Sequence, residues 1–123
     1  MTPTQRTLEL LRKEGFTACV VEKWIPMRKI RKDAFGFGDV LAMHPGFEGY
    51  GGLWLLQVTS GDNHAARLTK ATALPELKTW IISGGRFAVV SWSKRGARGK
   101  RKLWESRWQE VKLPDLGPAQ LAS

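Results

Sequence analysis

Two short apolar runs carry polar groups at positions where a strand normally holds a hydrophobe. The first is Phe35-Gly36-Phe37-Gly38-Asp39-Val40-Leu41-Ala42 and the second is Leu53-Trp54-Leu55-Leu56-Gln57-Val58-Thr59-Ser60. Side chains alternate across a strand, so Gln57 and Thr59 share one face while Val58 points to the other. Antiparallel pairing of the two runs would gather Asp39, Gln57 and Thr59 at one point of a sheet. Such a group is costly to bury alone, so it is expected to hold a metal, a water or its own members.

The elements around these runs follow from the same patterning. Thr2-Pro3-Thr4 predicts a helix start with Thr2 as cap, an apolar stripe through Leu8 and Leu11, and a stop at Gly15. Phe16 to Ile25 reads as one strand ended by Pro26, with Glu22 inside it, and Pro26 to Ala34 as a basic connection. Gly36 and Gly38 flank Phe37, which predicts a bulge or a close backbone approach just before Asp39. Strand two is expected over Asp39 to Met43. The segment His44 to Gly52, with Pro45 and four glycines, is expected to be a hairpin loop leading to a central strand, Leu53 to Thr59. A turn at Ser60 to Asn63, capped by Asp62 or Asn63, opens a helix over His64 to Ala73, and a second helical piece runs from Glu76 to Ile82. Strand four is Arg86 to Trp92, a basic loop covers Ser93 to Lys102, and strand five is Leu103 to Val111, with Trp104, Ser106 and Trp108 on one face. The reading is a single domain over residues 1–113 with a frayed tail over 114–123.

Composition narrows the class. A chain of 123 residues that is 42% hydrophobic is expected to be one soluble globular domain. No apolar run nears the roughly 18 residues of a membrane span, and charged residues interrupt every apolar stretch at the N-terminus. A single cysteine, Cys19, allows no internal disulfide, and His44 and His64 have no zinc-like spacing. A cytoplasmic location is the default expectation. The net charge of +9 is concentrated: Arg28, Lys29, Arg31 and Lys32, together with Lys94, Arg95, Arg98, Lys100, Arg101 and Lys102, make up half of the 20 basic residues. Clusters of this kind give salt-dependent affinity for nucleic acid, and both flank the strands described above. Both are expected on the same side of the sheet as Asp39. Trp92 and Trp104 border the second cluster, where they are candidates to stack on unpaired bases.

The order α-β-β-β-α-β-β, with an acid opening strand two and a polar pair closing strand three, resembles the PD-(D/E)XK nuclease superfamily, particularly its small Holliday-junction-resolvase-like members. Gly38-Asp39-Val40-Leu41-Ala42 matches the family's strand-opening Asp, and Leu56-Gln57-Val58-Thr59-Ser60 occupies the place of its Glu-x-Lys-Ser. The resemblance implies an α/β, restriction-endonuclease-like three-layer core, with a central mixed sheet of about five strands flanked by helices. It also implies a metal-dependent DNA endonuclease that hydrolyses phosphodiester bonds, on branched or structured DNA among other substrates, with Mg²⁺ or Mn²⁺ as cofactor.

By this resemblance Asp39, Gln57, Thr59 and Lys70 form the catalytic set, and Asp39 and Gln57 are metal ligands. Gln57 is a neutral ligand where the family has Glu, so the missing carboxylate falls to Glu22 or Asp33. Thr59 cannot replace the family's ammonium, so a cation is expected from Lys70 or Arg67 on the following helix. Glu9 is the one candidate for the helical Glu of the resolvases. Arg67 joins the two basic clusters as a nucleic-acid contact, DNA being favoured over RNA. No membrane partner is expected, and a homodimer stays open. Two other readings compete: a catalytically degenerate nuclease-fold domain that binds nucleic acid, and a basic protein-interaction domain.

Overall fold

The structure, a computed structural model, describes residues 1–28, 30–46 and 49–116, with residues 30 and 31 by backbone alone. Helix α1 (Pro3–Lys13) starts where the sequence predicts. Thr2 and Gln5 cap it reciprocally, the Gln5 amide donating to Thr2 Oγ1 at 3.2 Å and the Thr2 amide to Gln5 Oε1 at 3.1 Å. Leu11 is fully buried against the sheet. The Thr7 hydroxyl donates to Pro3 O and accepts from Trp92 Nε1 at 2.9 Å, which pins the helix to the strand beneath it. Gly15 turns the chain with a φ of 90°.

Strand β1 (Thr17–Val20) is shorter than predicted. The expected strand over Phe16 to Ile25 is two elements in two different sheets. After Val20 the chain leaves the main sheet and forms β2 (Lys23–Ile25), which pairs with β3 (Ile30–Lys32) in the register Lys23↔Lys32, Trp24↔Arg31, Ile25↔Ile30. The expected basic connection is thus partly a hairpin. A propensity pattern has no means of showing that the Val21 N–H donates to Asp39 O, at 3.0 Å, just before the chain departs.

The turn over Ala34 to Gly38 delivers Asp39. Ala34 and Gly38 exchange backbone hydrogen bonds at 2.7 and 3.1 Å, and Phe35 and Gly36 both take positive φ, 55° and 84°. Phe37, at the tip, is fully buried and packs edge-on to Phe87 with centroids 5.3 Å apart. The predicted close approach falls at Gly38: a Cβ there would lie 2.1 Å from Leu55 Cγ. Only glycine fits.

The main sheet is completed by β4 (Val40–His44), β5 (Gly52–Ser60), β6 (Arg86–Arg95) and β7 (Leu103–Val111), in the order β1-β4-β5-β6-β7. All pairings are antiparallel except β5 with β6. A parallel pair requires a crossover, supplied by a 3₁₀ turn (Gly61–Asn63), α2 (His64–Thr72) and α3 (Pro75–Ile82). The architecture is α/β, with a five-stranded mixed sheet and three helices among the described residues, compatible with a three-layer core. On one face α1 covers Val40, Leu56, Val58 and Val90; on the other α2 and α3 cover Leu55, Phe87 and Val89. β5 is therefore buried on both faces, as its unbroken apolar run implies.

Three further differences fall at the ends of elements. β6 continues three residues past the predicted end at Trp92, so Lys94 and Arg95 belong to a strand rather than to the loop. The capping residue of α2 is Asn63, but its side chain bonds Ser60 Oγ instead of the helix amides. The predicted fraying does not begin at Pro114: Leu113–Asp115 forms a 3₁₀ turn, and Leu116 is buried on the α2–α3 face. The rest of the predicted tail, residues 117–123, lies outside the described residues. Among the described residues, no helix is long and apolar enough to cross a membrane.

Candidate functional site

Asp39 sits at the entry to β4, with its backbone N–H bonded to Leu56 O at 2.9 Å. Its side chain points to the α2–α3 face, where Oδ1 accepts the Val58 N–H at 3.1 Å. It is 6% exposed. Burial pushes its carboxyl up to about 7 from an ordinary value of 3.8; the Val58 N–H opposes this, and the neighbouring charges of Asp33 and Glu22 add to it.

Two further carboxylates arrive by the β2–β3 hairpin. With Lys23 opposite Lys32, the next positions outward are Glu22 and Asp33, so the two ends of the hairpin close beside Asp39. Carboxylate oxygens of Glu22, Asp33 and Asp39 lie within 4.8 Å of one another. Both residues named from the sequence as alternative sources of the missing carboxylate are present together.

The side-chain amide of Gln57 can be seated two ways. In one, Nε2 donates to Asp39 Oδ2 at 3.4 Å. Rotated by 180°, it donates to Phe37 O and Asp33 Oδ2, each at 3.0 Å, the better-bonded arrangement. Oε1 then occupies the position 3.4 Å from Asp39 Oδ2. Two acceptor oxygens facing each other need a proton or a cation between them. With the Glu22 and Asp33 carboxylates beside them, the donor set is the hard-oxygen type that suits Mg²⁺ or Mn²⁺.

These acids form one wall of an open cleft of about 490 Å³. Lys32, Arg67 and Lys70 line the same cleft, as does Thr4 from the start of α1. Arg67 and Lys70, the two candidates named from the sequence on the following helix, thus both border the cleft. Thr59 is not among the lining residues; it is buried farther along β5, on the same face as Gln57 by alternation. Glu9 does not line the cleft either. Sequence reasoning passes over Thr4, for which no motif or charge gives a signal.

The second basic cluster divides. The expectation that it lies wholly on the same side of the sheet as Asp39 is corrected for Lys94. Lys94 pairs with Trp104 on the α1 face, its ammonium 5.5 Å from the Trp104 ring centroid. Arg95 points the other way, into a small pocket with Arg107 and Glu105. Arg98, Lys100, Arg101 and Lys102 are exposed in the β6–β7 loop, and Arg28 is exposed at the tip of the β2–β3 hairpin. Lys29 and the Arg31 side chain lie outside the described residues. Trp92 is buried and bonded to Thr7, so it is a core residue and not a platform for bases. Trp104 is half-exposed, with the Arg6 guanidinium 4.2 Å from its ring centroid.

The histidines are structural. His64 is buried between Ser91 Oγ at 2.6 Å and Gln109 Oε1 at 2.9 Å, and His44 Nδ1 accepts the Gly46 N–H at 3.0 Å. Comparison with protein families, with curated proteins and with solved structures gives no match for this chain.

Proposed function

We propose that the acid-walled cleft is the active site of a divalent-metal-dependent DNA endonuclease with a restriction-endonuclease-like core. One observation carries the reading: Glu22, Asp33 and Asp39, from separate points along the chain, converge within 4.8 Å in a cleft also lined by Lys32, Arg67 and Lys70. Acids that hold a cation beside bases that hold a phosphate are the two halves of a phosphodiester-cleaving site.

Asp39, Glu22 and Asp33, with Gln57 Oε1, would hold the Mg²⁺ or Mn²⁺ ion, which supplies Lewis-acid polarisation of a phosphoryl oxygen and an acidified water. Lys70 and Arg67 face the same space from α2 and would bind the non-bridging oxygens of the scissile phosphate. Lys32 extends that positive rim towards the hairpin. Arg28 and the β6–β7 loop cations would track the flanking backbone and supply sequence-independent affinity.

The test is incubation with branched, duplex and single-stranded DNA, each with Mg²⁺, Mn²⁺ or EDTA. Cleavage that needs the metal and is lost in Asp39→Ala supports the reading; Asp39→Ala should still bind DNA. A second reading is favoured by Gln57 and Thr59: β5 carries no lysine, and Thr59 does not line the cleft. On that reading the chain is a nuclease-fold domain that binds nucleic acid without cutting it. Salt-dependent binding with no cleavage of any substrate in either metal would select it.

A further inference from the structure

We propose that this protein forms a homodimer by antiparallel pairing of β7 with β7 of a second copy, about a two-fold axis at Ser106. The proposal stands apart from the nuclease reading and rests on the edge of the sheet, not on the cleft.

β7 is the last strand of the main sheet and β6 is its one neighbour there, so its outer row of N–H and C=O groups has no partner in the sheet. At nine residues it is the long open edge; β1, at the other side, has four. Long open edges invite pairing with another chain. This one also exposes large apolar side chains: Leu103 is 58% exposed, Trp104 42% and Trp108 38%.

The sequence of the strand says which chain would fit. Around Ser106 it reads Trp104-Glu105-Ser106-Arg107-Trp108, a palindrome in shape and a complement in charge. Antiparallel pairing about Ser106 sets Glu105 opposite Arg107 of the second copy, twice, and Trp104 opposite Trp108 of the second copy, twice. Directly opposed side chains share a face, with Cβ atoms about 4.5–5.5 Å apart, within reach for ion pairs and aromatic contacts. The two kinds of pair fall on opposite faces, because Glu105 and Arg107 lie opposite Ser93 and Ser91 while Trp104 and Trp108 lie opposite Lys94 and Val90. Glu105 and Arg107 form no ion pair within the chain among the described residues. Arg6, stacked 4.2 Å from the Trp104 ring centroid, holds that indole in place before any partner arrives. The product is a ten-stranded sheet with both α1 helices on one side.

Charged residues on an edge strand also serve to keep other chains away. Charge swaps separate the two roles. The parent chain should sediment as a dimer in the absence of nucleic acid. Arg107→Glu or Glu105→Arg alone sets two like-charge pairs at the interface and should weaken association at least about tenfold. An equimolar mixture of these two variants restores both ion pairs and should give a heterodimer, and the double variant should dimerise again by itself. Circular dichroism checks that each variant folds. If a single variant fails to fold, Ser106→Cys in a Cys19→Ser background gives the register directly, since it should oxidise to an intermolecular disulfide. A monomeric parent, a single variant as dimeric as the parent, a mixture that stays monomeric, or no disulfide at position 106 would each overturn the proposal.

Discussion

Replacing Asp39 with asparagine should make the metal-free protein more stable at pH 8 and leave it nearly unchanged at pH 4. Asp39 takes up its proton at about 7 in the folded chain against 3.8 for the ordinary carboxyl. Between those values the folded state binds one more proton than the unfolded state. Stability must therefore fall as pH rises, by about 1.4 kcal/mol per unit. The full loss, reached above pH 7, is on the order of 4 kcal/mol for the shift of Asp39 from 3.8 to about 7. In Asp39→Asn the side-chain amide imitates the protonated acid. Its oxygen accepts the Val58 N–H and its NH₂ faces Gln57 Oε1, so the slope disappears. The assay is urea unfolding in EDTA at intervals from pH 4 to pH 9, parent against variant. Mg²⁺ should recover the lost stability of the parent at pH 8, because a bound cation favours the ionised acid, and should do nothing for Asp39→Asn. A parent whose stability is flat or rising from pH 5 to pH 8 relative to the variant would refute the reasoning.

Other residues give further tests. Lys70→Met should slow DNA cleavage at least about tenfold, about 1.4 kcal/mol of barrier, with an unchanged melting temperature; single-turnover rates read it. Gly38→Ala should cost about 1–3 kcal/mol, measured by calorimetry, because the added Cβ falls 2.1 Å from Leu55 Cγ. Neutralising Arg98, Lys100 and Arg101 to Gln should reduce the salt slope of DNA binding by about 2–3 in an anisotropy titration; an unchanged slope removes the loop from the interface.

Much of the sheet is legible in the sequence because its strands obey local rules. Leu103–Val111 alternates and has the bounds its pattern predicts, and the unbroken run before Gln57 marks β5 as central. Thr2 and Pro3 announce α1, and the glycine before Asp39 announces the close approach to Leu55. The division at Val21 is hidden because two extended segments follow each other with only Val21 and Glu22 between them; what separates them is which distant strand each meets. The same long-range pairing decides the site. Glu22 and Asp33 are eleven positions apart, and only the Lys23↔Lys32 register brings them together. Lys94 falls on the wrong face when β6 is ended at Trp92. Continued by two residues, the alternation of Val90 and Trp92 gives its true direction.

Mn²⁺ binding tests most directly the claim that Glu22, Asp33 and Asp39 act as one cation site. Calorimetric titration at pH 8, with electron paramagnetic resonance of the bound ion, should show one Mn²⁺ per chain that Mg²⁺ displaces. Affinity should fall about tenfold for each pH unit below 7, where the Asp39 proton competes. Asp39→Ala should abolish binding, and Glu22→Gln or Asp33→Asn should each weaken it. Binding that survives Asp39→Ala, or a parent that takes up no Mn²⁺, would contradict the account.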